Sequence, residues 1–197
     1  MTPANNERLY TLFFMVGVTF VFISMVSALY YLTRDTIQRN QELVEKRAIL
    51  QAAGIEVPKN GKAAVAAYET HVRKAEGMDH YHIMKNEHPA GYVYYAQGPG
   101  VWGEIIMLLG LNPGRDRLTG IAVLKQNETP GLGARITEDW FVRQFIGKRP
   151  PLGRVEEGQP ASETAFQAIT GATNTSRAVQ DIINQAVARA ARHKEGM

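Results

Sequence analysis

The sequence contains no cysteine, which removes disulfides, thiolate metal ligands, iron–sulfur ligation and cysteine nucleophiles together. It also lacks any block of like charge. The 22 Lys and Arg are interspersed with 19 Asp and Glu for a net charge of +3, so the basic balance does not point to a nucleic-acid partner. Histidine is scarce, with five in the chain. His80 and His82 alternate on one strand face near Asp79 and His88, a pattern that a solvated strand explains without a metal. No serine stands in a nucleophile elbow, and no pair of carboxylates has a spacing that forces acid and base roles. Hydrolase chemistry therefore finds no support. Gly98 to Gly103, GPGVWG, has the GxGxxG spacing after a predicted strand. The residues after it are strand-like, whereas a dinucleotide fingerprint opens a helix. The stretch reads as a glycine-rich turn, with Trp102 either in the core or lining a pocket.

What is present begins with one long apolar run. Leu9 to Leu32 carries no charge and as a helix spans about 36 Å, enough to cross a bilayer with some tilt. Tyr10, Tyr30 and Tyr31 stand where interfacial aromatics belong, with Arg8 and Arg34 just outside them. The run is longer than the apolar core of a cleaved signal peptide. Residues 1–8 thus read as a short tail and 9–33 as a transmembrane anchor. Arg34, Arg39, Lys46 and Arg47 follow the span, so a count of positive residues places the rest of the chain in the cytoplasm.

With 197 residues, 45% of them hydrophobic, the remainder is long enough to bury a core. Residues 34–77 read as a helical connector and the start of a soluble domain: a helix over Thr36 to Ala53 stopped by Gly54, a turn at Pro58 to Gly61, and a second helix over Lys62 to Glu76 ended by Gly77. His80 to Lys85 and Gly91 to Gln97 flank the turn residues Asn86 to Ala90, and Val101 to Leu111 and Leu118 to Gln126 flank Asn112 to Gly114. Both pairs predict hairpins, hence antiparallel strands. Glu138 to Ile146 has a short helical pattern, Gly147 to Pro160 reads as a loop or extended arm, and Phe166 to Ile169 as a short strand. Ser176 to His193 is a helix with one apolar stripe through Val179, Ile182, Ile183, Ala186 and Val187, and with Arg177, Gln180, Asp181 and Asn184 off it. The class is α+β, an antiparallel sheet packed with helices behind a single transmembrane helix.

Two stretches have the composition of a binding site. Asn127 to Gly133 ends a strand with a turn in which Pro130 fixes one backbone angle and Gly131 and Gly133 keep the backbone bare, so amides can approach a flat ligand or a phosphate. Thr170 to Ser176, TGATNTS, leads into the C-terminal helix. A helix start offers free amides and the positive end of the macrodipole to an anion, and Thr173, Thr175 and Ser176 add hydroxyls there. Either stretch also has a plain reading, an ordinary loop in the first case and a redundant N-cap in the second.

These stretches carry a resemblance. The chain is similar to the FMN-binding domain family shared by the G subunit of the Rnf electron-transport complex and the C subunit of the sodium-pumping NADH:quinone oxidoreductase, Nqr. The family's Ser/Thr-Gly-Ala-Ser/Thr-x-Thr motif stands here as Thr170, Gly171, Ala172, Thr173, Asn174 and Thr175, followed by Ser176. Its Glu-Thr-Pro-Gly-Leu-Gly motif stands as Glu128, Thr129, Pro130, Gly131, Leu132 and Gly133. The resemblance implies that Thr175 bears FMN through a phosphoester installed from FAD by a flavin transferase, that the second motif contacts the flavin, and that residues 78–197 form the FMN-binding domain. It implies an electron-relay subunit in a membrane complex that couples ferredoxin and NAD redox chemistry to ion translocation, with the other Rnf subunits and the lipid bilayer as partners and no catalytic residue of its own. It also implies that the domain faces the extracytoplasmic side, against the positive-residue count. Where family members often carry Asp three residues before the motif, this chain has Gln167. Chain length favours the Rnf member, GPGVWG looks more like the Nqr member, and a tethered assembly module without cofactor is the alternative from a different class.

Overall fold

The protein is described by a computed structural model covering residues 3–74, 80–85 and 88–195. Its first element, α1 (Pro3–Ala52), is one continuous helix, so the separate helix expected from Thr36 is the end of α1. The chain divides into a unit up to Glu42 and another from Leu43. The first is helix throughout its described length, with its apolar side chains exposed and a composition long and apolar enough to cross a membrane.

The second unit is built on a five-stranded antiparallel meander in the order β1 (Val72–Lys74), β2 (His80–Lys85), β3 (His88–Pro99), β4 (Glu104–Leu111) and β5 (Leu118–Lys125). Both expected hairpins are present. Within them, His88 to Ala90 belong to β3 and not to a turn, and Val101 to Gly103 form the turn before β4, closed by the Gly100 amide donating to the Gly103 carbonyl at 2.7 Å. Asn86 lies outside the described residues. Helix α2 (Gly61–His71), capped by Asn60 accepting from the Lys62 amide, stops short of the expected Glu76. At Val72 the chain turns extended and pairs with Ile83. Hydrogen bonds offered by the sheet edge, together with burial of the β-branched Val72, outweigh the helix propensity of the alanine-rich run. The expected stop at Gly77 lies outside the described residues.

Both faces of the sheet are covered, which is why LLGL in β4 shows no apolar–polar alternation. On one face, Val93, Leu108 and Ala122 pack with Ile49, Leu50 and Ala52 at the end of α1. On the other, Ala96, Met107 and Leu109 pack with α3 (Asp139–Arg143) and α4 (Thr173–Glu195). Phe141, Phe145 and Phe166 are fully buried there, with ring centroids 4.8–5.8 Å apart. Phe166 belongs to β7 (Ala165–Gln167), which pairs parallel with β6 (Gly153–Val155) inside the stretch read as a loop. That arm is clasped by α4: Asn184 accepts from the Leu152 amide at 2.7 Å, and the Gln180 and Asn184 side chains donate to the Leu152 carbonyl. The polar residues off the α4 stripe thus hold the start of β6, whose partner β7 leads into TGATNTS.

The end of α1 approaches the sheet closely. Ala52 accepts from the Thr119 hydroxyl at 2.8 Å, and a methyl group on Gly110 would stand 1.8 Å from the Ala52 carbonyl oxygen. Higher on the same face, Tyr81 and Tyr95 both donate to Glu45, and burial, helped by Glu45, pushes the Tyr95 hydroxyl well above its ordinary range. Gly110→Ala is expected to cost roughly 1–3 kcal/mol or more through overpacking against backbone. Thermal denaturation of the variant checks this, and an unchanged melting temperature would contradict the close approach.

Candidate functional site

The two motifs meet. β5 runs out at Lys125, and Gln126 accepts from the Glu128 amide at 2.6 Å, turning the chain into Glu128–Gly133. A 3₁₀ turn (Gly133–Thr137) follows where the sequence reads as plain loop. TGATNTS comes from the other side: Gly171 takes φ +77°, and α4 begins at Thr173, three residues earlier than the stripe indicates. Thr175 therefore sits in the first turn of the helix and not ahead of it. The Ser176 amide donates to the Ala172 carbonyl at 3.0 Å, starting the helical ladder. The amides before it, of Thr173, Asn174 and Thr175, are those that a helix start leaves without intrahelical acceptors.

Between the motifs lies a cavity of about 390 Å³. One wall is Glu128, Thr129, Leu132 and Gly133, and another is Gly171 to Thr175. Val101 and Trp102 complete it. Thr170, Ser176, Pro130 and Gly131 do not line it; they shape the turns that do. Trp102 is 70% exposed and Leu132 43%, apolar surface at the rim of a polar cavity.

Its floor is a pair of buried polar groups. Thr175 is 3% exposed and Glu128 5%, and the Thr175 hydroxyl donates to Glu128 Oε2 at 2.5 Å. Glu128 Oε1 accepts from the amides of Val101 at 2.8 Å and Trp102 at 3.2 Å. The GPGVWG turn thus aims a carboxylate at a threonine. Ser176 serves the backbone instead, its hydroxyl donating to the Ala172 carbonyl and accepting from the Ile169 amide, both at 3.0 Å. Glycines make the packing possible. A methyl group on Gly133 would stand 2.6 Å from Thr175 Oγ1, and one on Gly100 2.5 Å from Glu128 Oε1.

A second carboxylate fixes the rim. Glu157 accepts from the Thr170 amide at 2.7 Å and pairs with Arg135 at 3.1 Å, and these bonds, the amide first, hold its carboxyl down at about 2. Gln167 does not face the cavity; its side chain accepts from the Gly158 amide and donates to the Gln159 carbonyl. His80 and His82 stack on each other with Nε2 atoms 3.2 Å apart, packed against Tyr92 and Tyr94 rather than the cavity. A larger cavity of about 660 Å³, between the Gly54–Lys59 loop and α3, holds no residue of either motif. Its charged groups, Glu56, Lys59, Asp139 and Arg143, are of mixed sign, so we place the chemistry in the smaller one.

A family model, the FMN-binding domain, matches residues 100–188, which include both walls. The chain is 33% identical to the G subunit of the Na(+)-translocating ferredoxin:NAD(+) oxidoreductase complex of Acetobacterium woodii over 193 residues, 88% of this chain and 89% of that one. It belongs to the family of these G subunits. It is also 33% identical to the G subunit of the ion-translocating oxidoreductase complex of Methanosarcina acetivorans, covering 87% of this chain and 91% of the relative. The crystal structure of the C subunit of the Na(+)-translocating NADH-quinone reductase from Parabacteroides distasonis superimposes with a TM-score of 0.66, covering 78% of this chain and 92% of that one at 20% identity. That likeness establishes the fold.

The cavity of this G-subunit family member suits FMN in three ways: bare glycine backbone, helix-start amides for a phosphate, and an apolar rim at Trp102 and Leu132. Sequence reasoning missed the Val101 amide, Arg135 and Glu157. The last two carry no motif of their own and are found only once β6 and β7 bring residue 157 beside residue 170. The folded Glu157 carboxyl lies below its ordinary 4.5, so its contribution to stability is present above about 4.5 and is lost as pH falls towards about 2. Glu157→Gln is expected to melt lower than the native chain at neutral pH, with the difference closing over that interval. A difference that persists at pH 2 would show that the charge is not what stabilises.

Proposed function

We propose that this chain is a membrane-anchored electron-transfer subunit of an ion-translocating ferredoxin:NAD oxidoreductase complex, carrying FMN in the cavity between Glu128–Gly133 and α4, bonded through its phosphate to Thr175. The observation that carries the reading is Thr175, which lines the cavity and whose hydroxyl is bonded to Glu128 rather than to the backbone that occupies Ser176. When bound, the flavin supplies one- and two-electron chemistry. The protein's own part is to bind and orient. Thr173, Asn174 and Thr175 present amides to the phosphate, Gly133 and Gly171 keep the approach clear, and Trp102 and Leu132 flank a flat ring at the rim. No acid or base is required for electron relay.

Membership in the G-subunit family supports the Rnf-type complex, since near-full-length identity of 33% to a G subunit outweighs a 20% structural likeness to a C subunit of the Nqr type. The partners are then the other subunits of that complex, a flavin transferase and the bilayer around residues 9–33. We place the domain on the extracytoplasmic side, as the family resemblance implies, because neighbouring subunits can override the charge bias of Arg34, Arg39, Lys46 and Arg47.

One experiment addresses cofactor and side together. Coexpressed with a flavin transferase, the native chain is expected to give a fluorescent band after denaturing electrophoresis, and Thr175→Ala none. Protease added to intact spheroplasts is expected to remove the native band. A fluorescent Thr175→Ala band would move the attachment site, a colourless native chain would favour a cofactor-free assembly module, and a protected band would put the domain inside.

A further inference from the structure

We propose that Glu128 is the general base for esterification of Thr175, a role in maturation of the protein rather than in electron transfer. The proposal rests on Thr175 being the attachment residue, and it follows from how the two side chains are held.

A threonine inside a helix commonly donates its hydroxyl to the carbonyl four residues back. Ser176 does so, to Ala172. Thr175, its neighbour, donates instead to a carboxylate brought from 47 residues away. That carboxylate is buried and, among the described residues, forms no ion pair with Lys, Arg or His. Burying a charge without a counter-ion is unfavourable, and no structural duty at this place requires one. A glutamine could accept the Val101 and Trp102 amides on its oxygen and donate to Thr175 Oγ1 with its nitrogen. What glutamine cannot do is take the Thr175 proton. The two amides on Oε1 fix the carboxyl and leave Oε2 directed at the hydroxyl, within the hydrogen-bond reach that a general base needs. Thr175 lines the cavity, the side from which a phosphorus atom would reach its hydroxyl.

The step balances without redox change. Thr175 Oγ attacks the FMN-side phosphorus of FAD held by the transferase, an Oγ–P bond forms, and the P–O bond to AMP breaks. AMP leaves as the phosphate monoester, and the Thr175 proton passes to Glu128 Oε2. The retained proton turns Glu128 from an acceptor into a donor towards the new phosphodiester, whose charge would otherwise face a carboxylate at close range. At Gly133 a methyl group would stand 2.6 Å from Thr175 Oγ1 and 2.9 Å from Glu128 Oε2, so the missing side chain leaves room beside both reacting oxygens.

The test uses the full chain in detergent with purified transferase and FAD, following covalent flavin by in-gel fluorescence over time. Glu128→Gln is expected to slow labelling about 100-fold, the scale of a lost general base, with the melting temperature kept at the native value. Glu128→Asp, which fits the cavity less well than Gln but keeps a carboxylate, is expected to label faster than Glu128→Gln. Labelling of Glu128→Gln at the native rate overturns the proposal. So does the reverse order, Gln faster than Asp, or a fall in melting temperature that parallels the fall in rate, either of which assigns Glu128 a structural part. Thr175→Ala separates the underlying reading: if it labels like the native chain, or the native chain does not label, attachment at Thr175 fails and the base role falls with it.

Discussion

The hydrogen bond from Thr175 to Glu128 joins the first turn of α4 to the turn after β5 across 47 residues of sequence, and much of the second unit can be understood as what makes that contact possible. Glu128 is aimed by backbone amides from the turn after β3, so three stretches of chain converge on two oxygen atoms. Two of them have glycine where they come closest. At Gly100 and Gly133 any side chain would overlap the Glu128 carboxyl, and at Gly133 the Thr175 hydroxyl as well. The fold tolerates a buried carboxylate here because its acceptor capacity is met by N–H and O–H donors rather than by a cation.

The layers behind the site explain its rigidity. The meander is fixed on one face by the end of α1, where the paired Gly110 of β4 and Gly120 of β5 admit the helix backbone, and on the other by α4, whose apolar stripe packs on β3 and β4. The stripe's position along the sheet determines where the helix start falls, and Gly98, where a methyl would stand 2.7 Å from Ile182, permits the close seating. From the far side, the three phenylalanines pack on β7, the Gln180–Asn184 clasp holds the start of its partner β6, and Glu157 ties the Thr170 amide to Arg135. A helix N-terminus seated this way can hold an anion with little reorganisation when the ligand binds.

Much of this was legible in the sequence. The apolar anchor, the two hairpins and the α4 stripe are local periodicities, and local patterns survive folding. TGATNTS and the Glu128–Gly133 turn were legible as a pair through family resemblance, whereas composition alone favoured an ordinary loop for the turn and left a redundant cap open for TGATNTS. What escaped was non-local. Val72 reads as helix until a strand edge is present to pair with it, β6 is too short to show a period and forms only against β7, the short strand expected near Phe166, and the start of α4 at Thr173 depends on the turn at Gly171. The four hydroxyls of TGATNTS looked redundant because sequence cannot tell which are structural. The structure separates Ser176, which closes the helix start, from Thr175, which faces the cavity with a carboxylate behind it.

Attachment of FMN at Thr175 can be read directly by fragmentation mass spectrometry of the flavinylated chain. Trypsin releases Val155 to Arg177 as one peptide, which contains Ser162, Thr164, Thr170, Thr173, Thr175 and Ser176 together. The predicted result is one FMN phosphodiester on that peptide, with fragment ions placing the added mass on Thr175. The same mass on Thr173 or Ser176, or an unmodified peptide from a fluorescent protein, would contradict it.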